Sequence, residues 1–413
     1  MHGGGDGLSR RRLLSGSAAA IGAAGLSPWI GEAAAQVCSP NAISRTRRPV
    51  PNLTYRTANI IDTIAQVRPN RIGGVRVEKM PARGSGAARR WIVHNYGHGG
   101  GGITLSFGCA SVVSDFVQEI IGDLGGNAAP SVAVVGSGVI GLTTAHAIKT
   151  RFRNLAVTIY SKDVELSKTC SWVAAGQFEP SGIWRAHTSP EQKANLRKYL
   201  QRSAEHIRQL KSRGVAAQYG IADRSNFSLS AGIAGMESEF MRPVIGPPRC
   251  GQLPFERLSV QGREYRTWLV NPRVLMPKLV RDLNDMGVLR RQRTLVAPPG
   301  SMEESGFLRV LTEQIIVNCT GFGSEALVRN SGLQPIKGQI VVLRNPDTAR
   351  YNYFFSGSQC ETERPNYLFC RQHDIVVGGL WDIGNRTLNA DDNTAEAIMG
   401  RLRRLFNGNT SGC

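Results

Sequence analysis

Residues 131–141 read Ser-Val-Ala-Val-Val-Gly-Ser-Gly-Val-Ile-Gly, an apolar run of strand-forming residues that ends in the spacing G-x-G-x-x-G. A helical pattern follows from about Leu142 to Thr150. A strand, a glycine turn and a helix in this order form the setting in which such glycines bind the pyrophosphate of a dinucleotide at a helix N-terminus. The sequence therefore predicts a nucleotide-binding α/β domain that begins near residue 131.

A second glycine-rich segment lies upstream of this domain, at residues 94–102 (HNYGHGGGG). A plain nucleotide-binding fold does not explain a complete segment ahead of its first strand. Other short motifs accompany the two glycine-rich segments. They are 67–78 (VRPNRIGGVRVE), 104–110 (TLSFGCA), 172–176 (WVAAG), 317–321 (VNCTG), 334–339 (QPIKGQ), 366–369 (NYLF) and 376–379 (VVGG).

Together these segments resemble the D-amino-acid oxidase family of FAD enzymes, but in an unusual order. In that family the glycine turn opens the chain, and segments like 67–78 and 94–110 close it. Here the closing segments come first, so the chain looks like a circular permutant joined through the glycine-rich linker at 121–130. A circular permutation costs little folding stability when the old termini are close together and the new break lies in an exposed connection. A shuffled or misassembled gene is the alternative.

The resemblance implies an α/β fold: an FAD-binding Rossmann-like domain with a second, largely antiparallel β-sheet substrate domain. The expected organisation begins with a signal peptide at 1–35 and the transposed C-terminal segment at 60–121. The FAD-binding βαβ segment then covers 131–186, and the substrate domain covers 187–406, interleaved with nucleotide-domain strands at 310–325.

The resemblance also places the FAD-binding positions in the two glycine-rich segments and in the stretch after the second strand. A flexible glycine loop and ordinary structural turns are the alternatives. The positions are Gly136, Ser137, Gly138, Val139, Ile140, Gly141, Lys162, Asp163, Thr169, Cys170, Ala175, Gly176, Gly99, Gly101, Gly102, Ile103 and Thr104.

The end of the second strand departs from the usual nucleotide-binding pattern. This fold normally places an acid there, on the adenosine ribose. Lys162 takes that place, and Asp163 follows one residue later. Either the acid is lost or one residue is inserted, and a lysine there can contact a phosphate instead.

Oxidation of an amino acid by flavin needs a positive group for the carboxylate, a wall that orients the α-hydrogen, and a dry cavity. The resemblance assigns the carboxylate to Arg68, whose planar guanidinium can form two parallel bonds. It assigns a further hydroxyl to Tyr367 and a carbonyl for the substrate amine to Gly100. A surface arginine and an ordinary strand aromatic are the alternatives. Arg364 and Arg371 are expected to face solvent, with recognition of an acidic substrate side chain by either one as the alternative. Glu179 and Ser181 depart from the family, so the side-chain pocket stays undefined.

The activity implied by the resemblance is oxidation of a D-amino acid by hydride transfer to FAD. The product is a 2-oxo acid with release of ammonia, while O2 is reduced to hydrogen peroxide. Two alternatives stay open: a related flavin dehydrogenase that uses another electron acceptor, and a flavin-binding protein without catalysis. The expected partners are a small D-amino acid and O2, with a homodimer as an open possibility.

The N-terminus carries an export-like pattern. Three arginines, Arg10 to Arg12, precede a weakly apolar run over residues 15–30, and AAAQ follows at 33–36. This pattern is similar to a twin-arginine signal and predicts a periplasmic or extracellular protein. A disordered basic tail is the alternative. No long uncharged apolar run follows residue 40, so no membrane span is expected, while peripheral contact with an anionic envelope surface stays open.

A formal charge of +19 is typical of some proteins that bind nucleic acid. The basic residues are dispersed, however, and the short runs lack interleaved aromatics, which favours a solvated basic surface and no nucleic-acid partner. The eight cysteines contain no C-x-x-C pair, so no metal site is expected. Cys360 and Cys370 flank a hairpin pattern and are candidates for a disulfide after export.

Overall fold

The computed structural model describes residues 42–82, 90–125, 129–229, 237–258, 260–296, 305–357 and 366–408. The predicted signal at 1–35, the linker residues 126–128, Cys360 and Arg364 lie outside these ranges.

The described residues form fifteen strands. In chain order they are β1 (Ile60–Arg71), β2 (Arg76–Pro81), β3 (Trp91–Tyr96), β4 (Val132–Val135), β5 (Val157–Ser161), β6 (Ile221–Ser228), β7 (Arg249–Gln252), β8 (Gln261–Val270), β9 (Leu289–Gln292), β10 (Ile315–Asn318), β11 (Leu333–Arg344), β12 (Tyr353–Ser356), β13 (Tyr367–Cys370), β14 (Asp374–Gly378) and β15 (Asp382–Ile383).

The α-helices in the same ranges are α1 (Gly102–Asp123), α2 (Val139–Arg151), α3 (Pro190–Ser212), α4 (Arg242–Ile245), α5 (Pro272–Asp285), α6 (Ser305–Leu308) and α7 (Asp392–Phe406). Two of the long helices begin at side-chain caps that explain their start. Ser189 and Gln192 form a capping box before α3, and the Asn271 side chain accepts from the Arg273 amide before α5.

One sheet, here called the parallel sheet, has the order β2-β3-β10-β4-β5-β9. All neighbours in it are parallel except β2 and β3. Every residue of β3, β4 and β10 is buried, as expected for a parallel sheet covered on both faces. β10 lies between β3 and β4, so this nucleotide-binding sheet takes two of its strands from residues ahead of the glycine turn.

The other sheet, here called the antiparallel sheet, has the order β1-β11-β14-β13-β12-β6-β8-β7, with β15 paired to β11. Its pairs are antiparallel except β6 with β12. The expected α/β fold with a second, largely antiparallel sheet is therefore confirmed. β1 pairs with β11 from Ile60 opposite Leu343 to Arg71 opposite Leu333, so residues ahead of the glycine turn also complete this sheet.

α1 packs tightly on its neighbours. A Cβ added at Gly108 would lie 1.9 Å from the Tyr199 carbonyl oxygen, so α1 and α3 touch through backbone. The stretch Gly99–Asp123 is long and apolar enough to cross a membrane by length and composition, contrary to expectation, but 72% of its most apolar window is buried inside the protein. Core helices of soluble proteins have the same composition.

Cys370, one of the two candidates for a disulfide, is not disulfide-bonded, and Cys360 lies outside the described residues. Cys370 is a buried free thiol at the end of β13. It belongs to an apolar cluster with Tyr353, Phe227 and Leu368, which hold the sulfur inside the core. Cys250 is disulfide-bonded.

Candidate active site

A cavity of about 1940 Å³ opens at the carboxyl ends of the parallel strands. Its walls include Val135 at the end of β4 with Gly136 after it, Ser161 at the end of β5, and Cys319 after β10. Arg68 and Tyr367 of the antiparallel sheet line the same space. The volume exceeds the roughly 300–1,000 Å³ usual for one small ligand, so it accommodates a dinucleotide and a substrate together.

The glycine turn after β4 is fixed by close backbone contacts. Gly136 has φ +117°, and a Cβ there would lie 2.3 Å from the Cys319 carbonyl oxygen. A Cβ at Gly141 would lie 1.9 Å from the Gly136 carbonyl oxygen. Because both neighbours are backbone atoms, neither position can take a side chain without moving the turn.

The N-terminus of α2 faces the cavity with little capping from the protein. Its N-cap residue, Gly138, has no side chain to offer, and the Val139 amide donates to Ser171 Oγ at 3.2 Å. A helix start of this kind binds anions through its amides and its dipole. Sequence reasoning missed Ser171, because its contact with α2 exists only after the chain has returned from β5.

Lys162 and Asp163 both line the mouth of the cavity. Ser137 Oγ donates to the Asp163 carbonyl oxygen at 2.8 Å and so ties the glycine turn to the end of β5. The Asp163 carboxylate lies 3.6 Å from Lys168 Nζ, whereas Lys162 is exposed. The acid is therefore present one residue beyond its usual place and is already paired with a lysine.

The stretch from Thr169 to Gly176 crosses the cavity wall between the two sheets. The Val270 amide donates to the Gly176 carbonyl at 2.7 Å, which anchors this turn to β8. Gly176 has φ +90°, and a Cβ there would lie 2.7 Å from the Val270 carbonyl oxygen. Thr169 and Ala175 line the cavity, and so does Cys170, whose thiol pKa is raised by burial.

Arg371 supports this turn from behind, so the expectation that it faces solvent is wrong. Its side chain is fully buried and forms a paired contact with Asp374, with Nη2 to Oδ2 at 2.6 Å. Its Nη1 donates to the Ala174 carbonyl at 2.9 Å. The cost of burying this arginine is reduced because a carboxylate and a carbonyl accept its hydrogen bonds.

The upstream glycine loop forms a short turn of helix, Gly99–Gly101, that leads directly into α1. Gly99 has φ +51°, and a Cβ there would lie 2.8 Å from Asn70 Oδ1. Burial lowers the pKa of the preceding His98 to about 3, so its ring is neutral at pH 7. The loop is thus packed against β1 and is not a flexible glycine segment.

Most of the predicted cofactor positions line the cavity, but Gly101, Thr104 and Gly141 do not. A Cβ at Gly101 would lie 2.7 Å from Ile183 Cγ2, and Thr104 Oγ1 donates to the Glu179 carbonyl at 2.8 Å. These three residues do not face the cavity but pack behind the residues that line it.

Arg68 and Tyr367 each lie over a glycine of a neighbouring strand. A Cβ at Gly338 of β11 would lie 2.5 Å from Arg68 Nη2, and one at Gly378 of β14 would lie 2.1 Å from Tyr367 Cζ. Both glycines belong to segments that the sequence singled out, 334–339 and 376–379, without revealing their role. They leave room for the two functional side chains to lie flat on the sheet.

Further contacts orient the Arg68 guanidinium. Its Nη1 donates to the Leu380 carbonyl at 3.3 Å, and its Cζ lies 5.2 Å from the centre of the Trp381 ring. This cation–π geometry positions Arg68. Gly100 stands beside it, because a Cβ there would lie 3.7 Å from Arg68 Cδ. Trp381 was missed from the sequence, although it follows the quoted VVGG segment closely.

The charge around the cavity favours an anionic ligand. Six basic residues line it (Arg68, Lys162, Lys168, Arg185, Arg293 and Arg386), against three acidic ones (Asp163, Glu179 and Asp382). Clefts with an excess of one charge concentrate ligands of the opposite charge. A dinucleotide diphosphate and an amino-acid carboxylate both match this field.

This fold and cavity are those of a flavin-dependent oxidoreductase that binds FAD across its glycine turn. The family profile DAO, described as FAD dependent oxidoreductase, matches residues 131–411. The chain belongs to this family, and FAD is its cofactor.

Relatives of known name include a D-amino-acid oxidase from Streptomyces coelicolor, 25% identical over 286 residues, which are 66% of this chain and 77% of that protein. Another from Rubrobacter xylanophilus is 29% identical over 291 residues, 68% and 78% of the two chains. Human D-aspartate oxidase is 25% identical over 281 residues, 66% and 75%. Among solved structures, iminodiacetate oxidase from Chelativorans sp. BNC1 has a TM-score of 0.45 and 17% identity, covering 66% of this chain and 79% of that one.

The described residues fit an FAD molecule. The glycine turn brings backbone close to the start of α2, the cavity has the required volume, and the upstream loop forms its second wall. Gly136 to Ile140 would hold the diphosphate, and the segments at 99–103 and 169–176 would enclose the flavin.

Proposed function

We propose that this protein oxidises a D-amino acid to the imino acid, which water hydrolyses to a 2-oxo acid and ammonia. The observation that supports this most directly is that Arg68 and Tyr367 line the same cavity as the glycine turn. A carboxylate can be bound by an arginine whose guanidinium is already oriented by other contacts, together with a tyrosine hydroxyl in the same wall.

Each residue has a defined task in this proposal. The Arg68 guanidinium grips the substrate carboxylate, and the Tyr367 hydroxyl adds a further bond to it. The Gly100 carbonyl accepts from the substrate amine, which leaves the α-hydrogen directed into the cavity. Bound FAD supplies the redox chemistry by taking two electrons and the α-hydrogen from the substrate and passing the electrons to O2, which yields hydrogen peroxide.

The visible spectrum of the purified protein tests this proposal, recorded before and after anaerobic addition of a panel of D-amino acids and their L-isomers. Flavin bands that bleach with D-isomers alone are the expected result. Bands that persist with every D-isomer would contradict catalysis and leave a flavin-binding protein. Peroxide released during aerobic turnover would identify an oxidase, whereas its absence, with a dye or quinone reduced instead, would identify a dehydrogenase.

We also propose that the chain is a circular permutant in which residues 60–121 correspond to the C-terminal segment of the family. In support, the family match begins at residue 131, yet β1 forms one edge of the antiparallel sheet and β3 lies inside the parallel sheet. A gene that places residues 42–125 after residue 408 should give a yellow, active protein. Failure of that variant, with the native order active, would overturn the permutation.

Export through a twin-arginine-like signal is a further proposal, supported by the arginines at 10–12 and the AAAQ segment. Replacing Arg11 and Arg12 by Lys should retain the protein in the cytoplasm on cell fractionation. Unchanged export would contradict this route.

A further inference from the structure

A buried carboxyl group, Glu179, stands in the wall of the same cavity. Gln177 Nε2 donates to its Oε2 at 2.8 Å, and the Tyr265 hydroxyl donates to the same oxygen. Ser181 Oγ donates to its Oε1 at 3.1 Å. All three donors are neutral, and no ion pair reaches Glu179 from the part of the chain that the structure describes.

This group differs from the other carboxylates of the cavity. Asp163 has Lys168 at 3.6 Å, and Asp382, which is only partly buried, accepts from Asn385 Nδ2 at 2.8 Å. A buried carboxylate without a cation is costly, and burial raises the pKa of Glu179. A cationic ligand group would remove that cost when it binds.

The unused hydrogen-bonding capacity of Glu179 is on its Oε1 atom. A carboxylate has about four acceptor sites, and Oε2 already takes two donors while Oε1 takes only Ser181. The Ser181 backbone borders Gly100, because a Cβ at Gly100 would lie 2.8 Å from the Ser181 carbonyl oxygen and 3.7 Å from Arg68 Cδ. Oε1 is therefore one hydrogen bond away from the residues that flank Arg68.

We propose that Glu179 binds the cationic end of the substrate side chain, so that the enzyme prefers D-amino acids with a basic side chain. This inference rests on the proposed function and names its substrate class. With the carboxylate held by Arg68, a side chain that extends along Ser181 brings its ammonium or guanidinium group to Oε1. Ser181 positions the carboxyl, and Gln177 and Tyr265 fix its other oxygen.

The test compares D-lysine with D-norleucine, which share a carbon skeleton and differ only in the terminal ammonium group. The native holoenzyme should show a kcat/KM for D-lysine at least tenfold above that for D-norleucine. Glu179→Gln should lower this ratio at least tenfold, because the amide keeps the size of the side chain and loses its charge. Glu205→Gln, on the exposed face of α3, is the matched control and should leave the ratio unchanged.

Four results would overturn the inference. The first is an equal kcat/KM of the native enzyme for D-lysine and D-norleucine, a measurement that needs no variant. If Glu179→Gln lowered kcat/KM equally for both substrates, the carboxyl group would bind the α-amine or would only stabilise the structure of the wall. Bleaching by D-norleucine and not by D-lysine would leave the proposed function standing, whereas no bleaching by any D-amino acid would remove the proposed function and this inference with it.

Discussion

The two sheets border one cavity and contribute to it in different ways. The parallel sheet presents glycines whose backbone approaches within contact of other backbone, as at Gly136 and Gly141. The antiparallel sheet presents side chains, Arg68 and Tyr367, that lie over glycines of adjacent strands. In the first sheet glycine makes room for the ligand or the turn, whereas in the second it makes room for another residue of the protein. The first half of the site is therefore sensitive to added atoms, and the second to removed ones.

The largest effect is expected from an added methyl group at Gly141, in the first turn of α2 after the parallel strand β4. In Gly141→Ala the new Cβ would lie 1.9 Å from the Gly136 carbonyl oxygen, and no flexible group can yield. We expect at least about 3 kcal/mol of lost stability and a protein purified without flavin bands. Gly122→Ala is the control, because its Cβ meets nothing within 4 Å, and it should be neutral or stabilising by up to about 1 kcal/mol. A fully yellow, stable Gly141→Ala protein would contradict this account of the turn.

On the antiparallel sheet, Arg68→Lys keeps the charge and loses the planar fork. We expect kcat/KM for the best D-amino acid to fall by about 100-fold, or about 2.7 kcal/mol, with an unchanged flavin spectrum. Arg403→Lys, at an exposed position of α7, should change neither. Equal turnover by Arg68→Lys would mean that the carboxylate is held elsewhere.

The stability of the parallel-sheet side should depend on pH through its buried histidines. Burial lowers the pKa of His94 and of His98 to about 3, below the unfolded value of 6.5. The unfolded chain therefore binds more protons between these values, and stability is lost as the pH falls below 6.5. Each histidine should cost about 1.4 kcal/mol per pH unit there, or about 2 kcal/mol at pH 5.

Denaturant unfolding at pH 7, 6 and 5 measures this dependence. His98→Gln should reduce the dependence of the unfolding free energy on pH by the contribution of one histidine. An identical slope in the variant would show that His98 is not the group that titrates.

The smallest effect is expected where one side chain only orients another. Trp381→Leu removes the aromatic face 5.2 Å from the Arg68 guanidinium, and cation–π contacts contribute about 1 kcal/mol. KM should rise about fivefold with kcat nearly unchanged. Trp381→Phe should restore most of the loss, whereas an equal loss in both variants would indicate packing and not the ring.

The sequence predicted the parts of this site that depend on local chemistry. The strand, glycine turn and helix at 131–151 needed no other information, because the glycines have a local geometric reason. The long helices α3 and α5 also depend on local signals, because they carry their own caps and apolar faces.

The sequence could not reveal what depends on distant pairing. Arg371 looked exposed because its partner Asp374 and the Ala174 carbonyl come together only in the fold. Ser171 and Trp381 acquire their roles from contacts with α2 and Arg68, and Cys370 from the core that surrounds β13. A single sequence contains no signal for such contacts, since they join strands and turns that are far apart along the chain.

The pairing of β1 with β11 and of β3 with β10 also affects how the chain is made. These early strands leave the ribosome long before their partners, because Ile60 pairs with Leu343 and Trp91 pairs with Ile315. Until then their edges stay open to wrong pairing, and contacts of such long range fold slowly. Synthesis rate and chaperone supply should therefore limit the yield of this protein more than its final stability does.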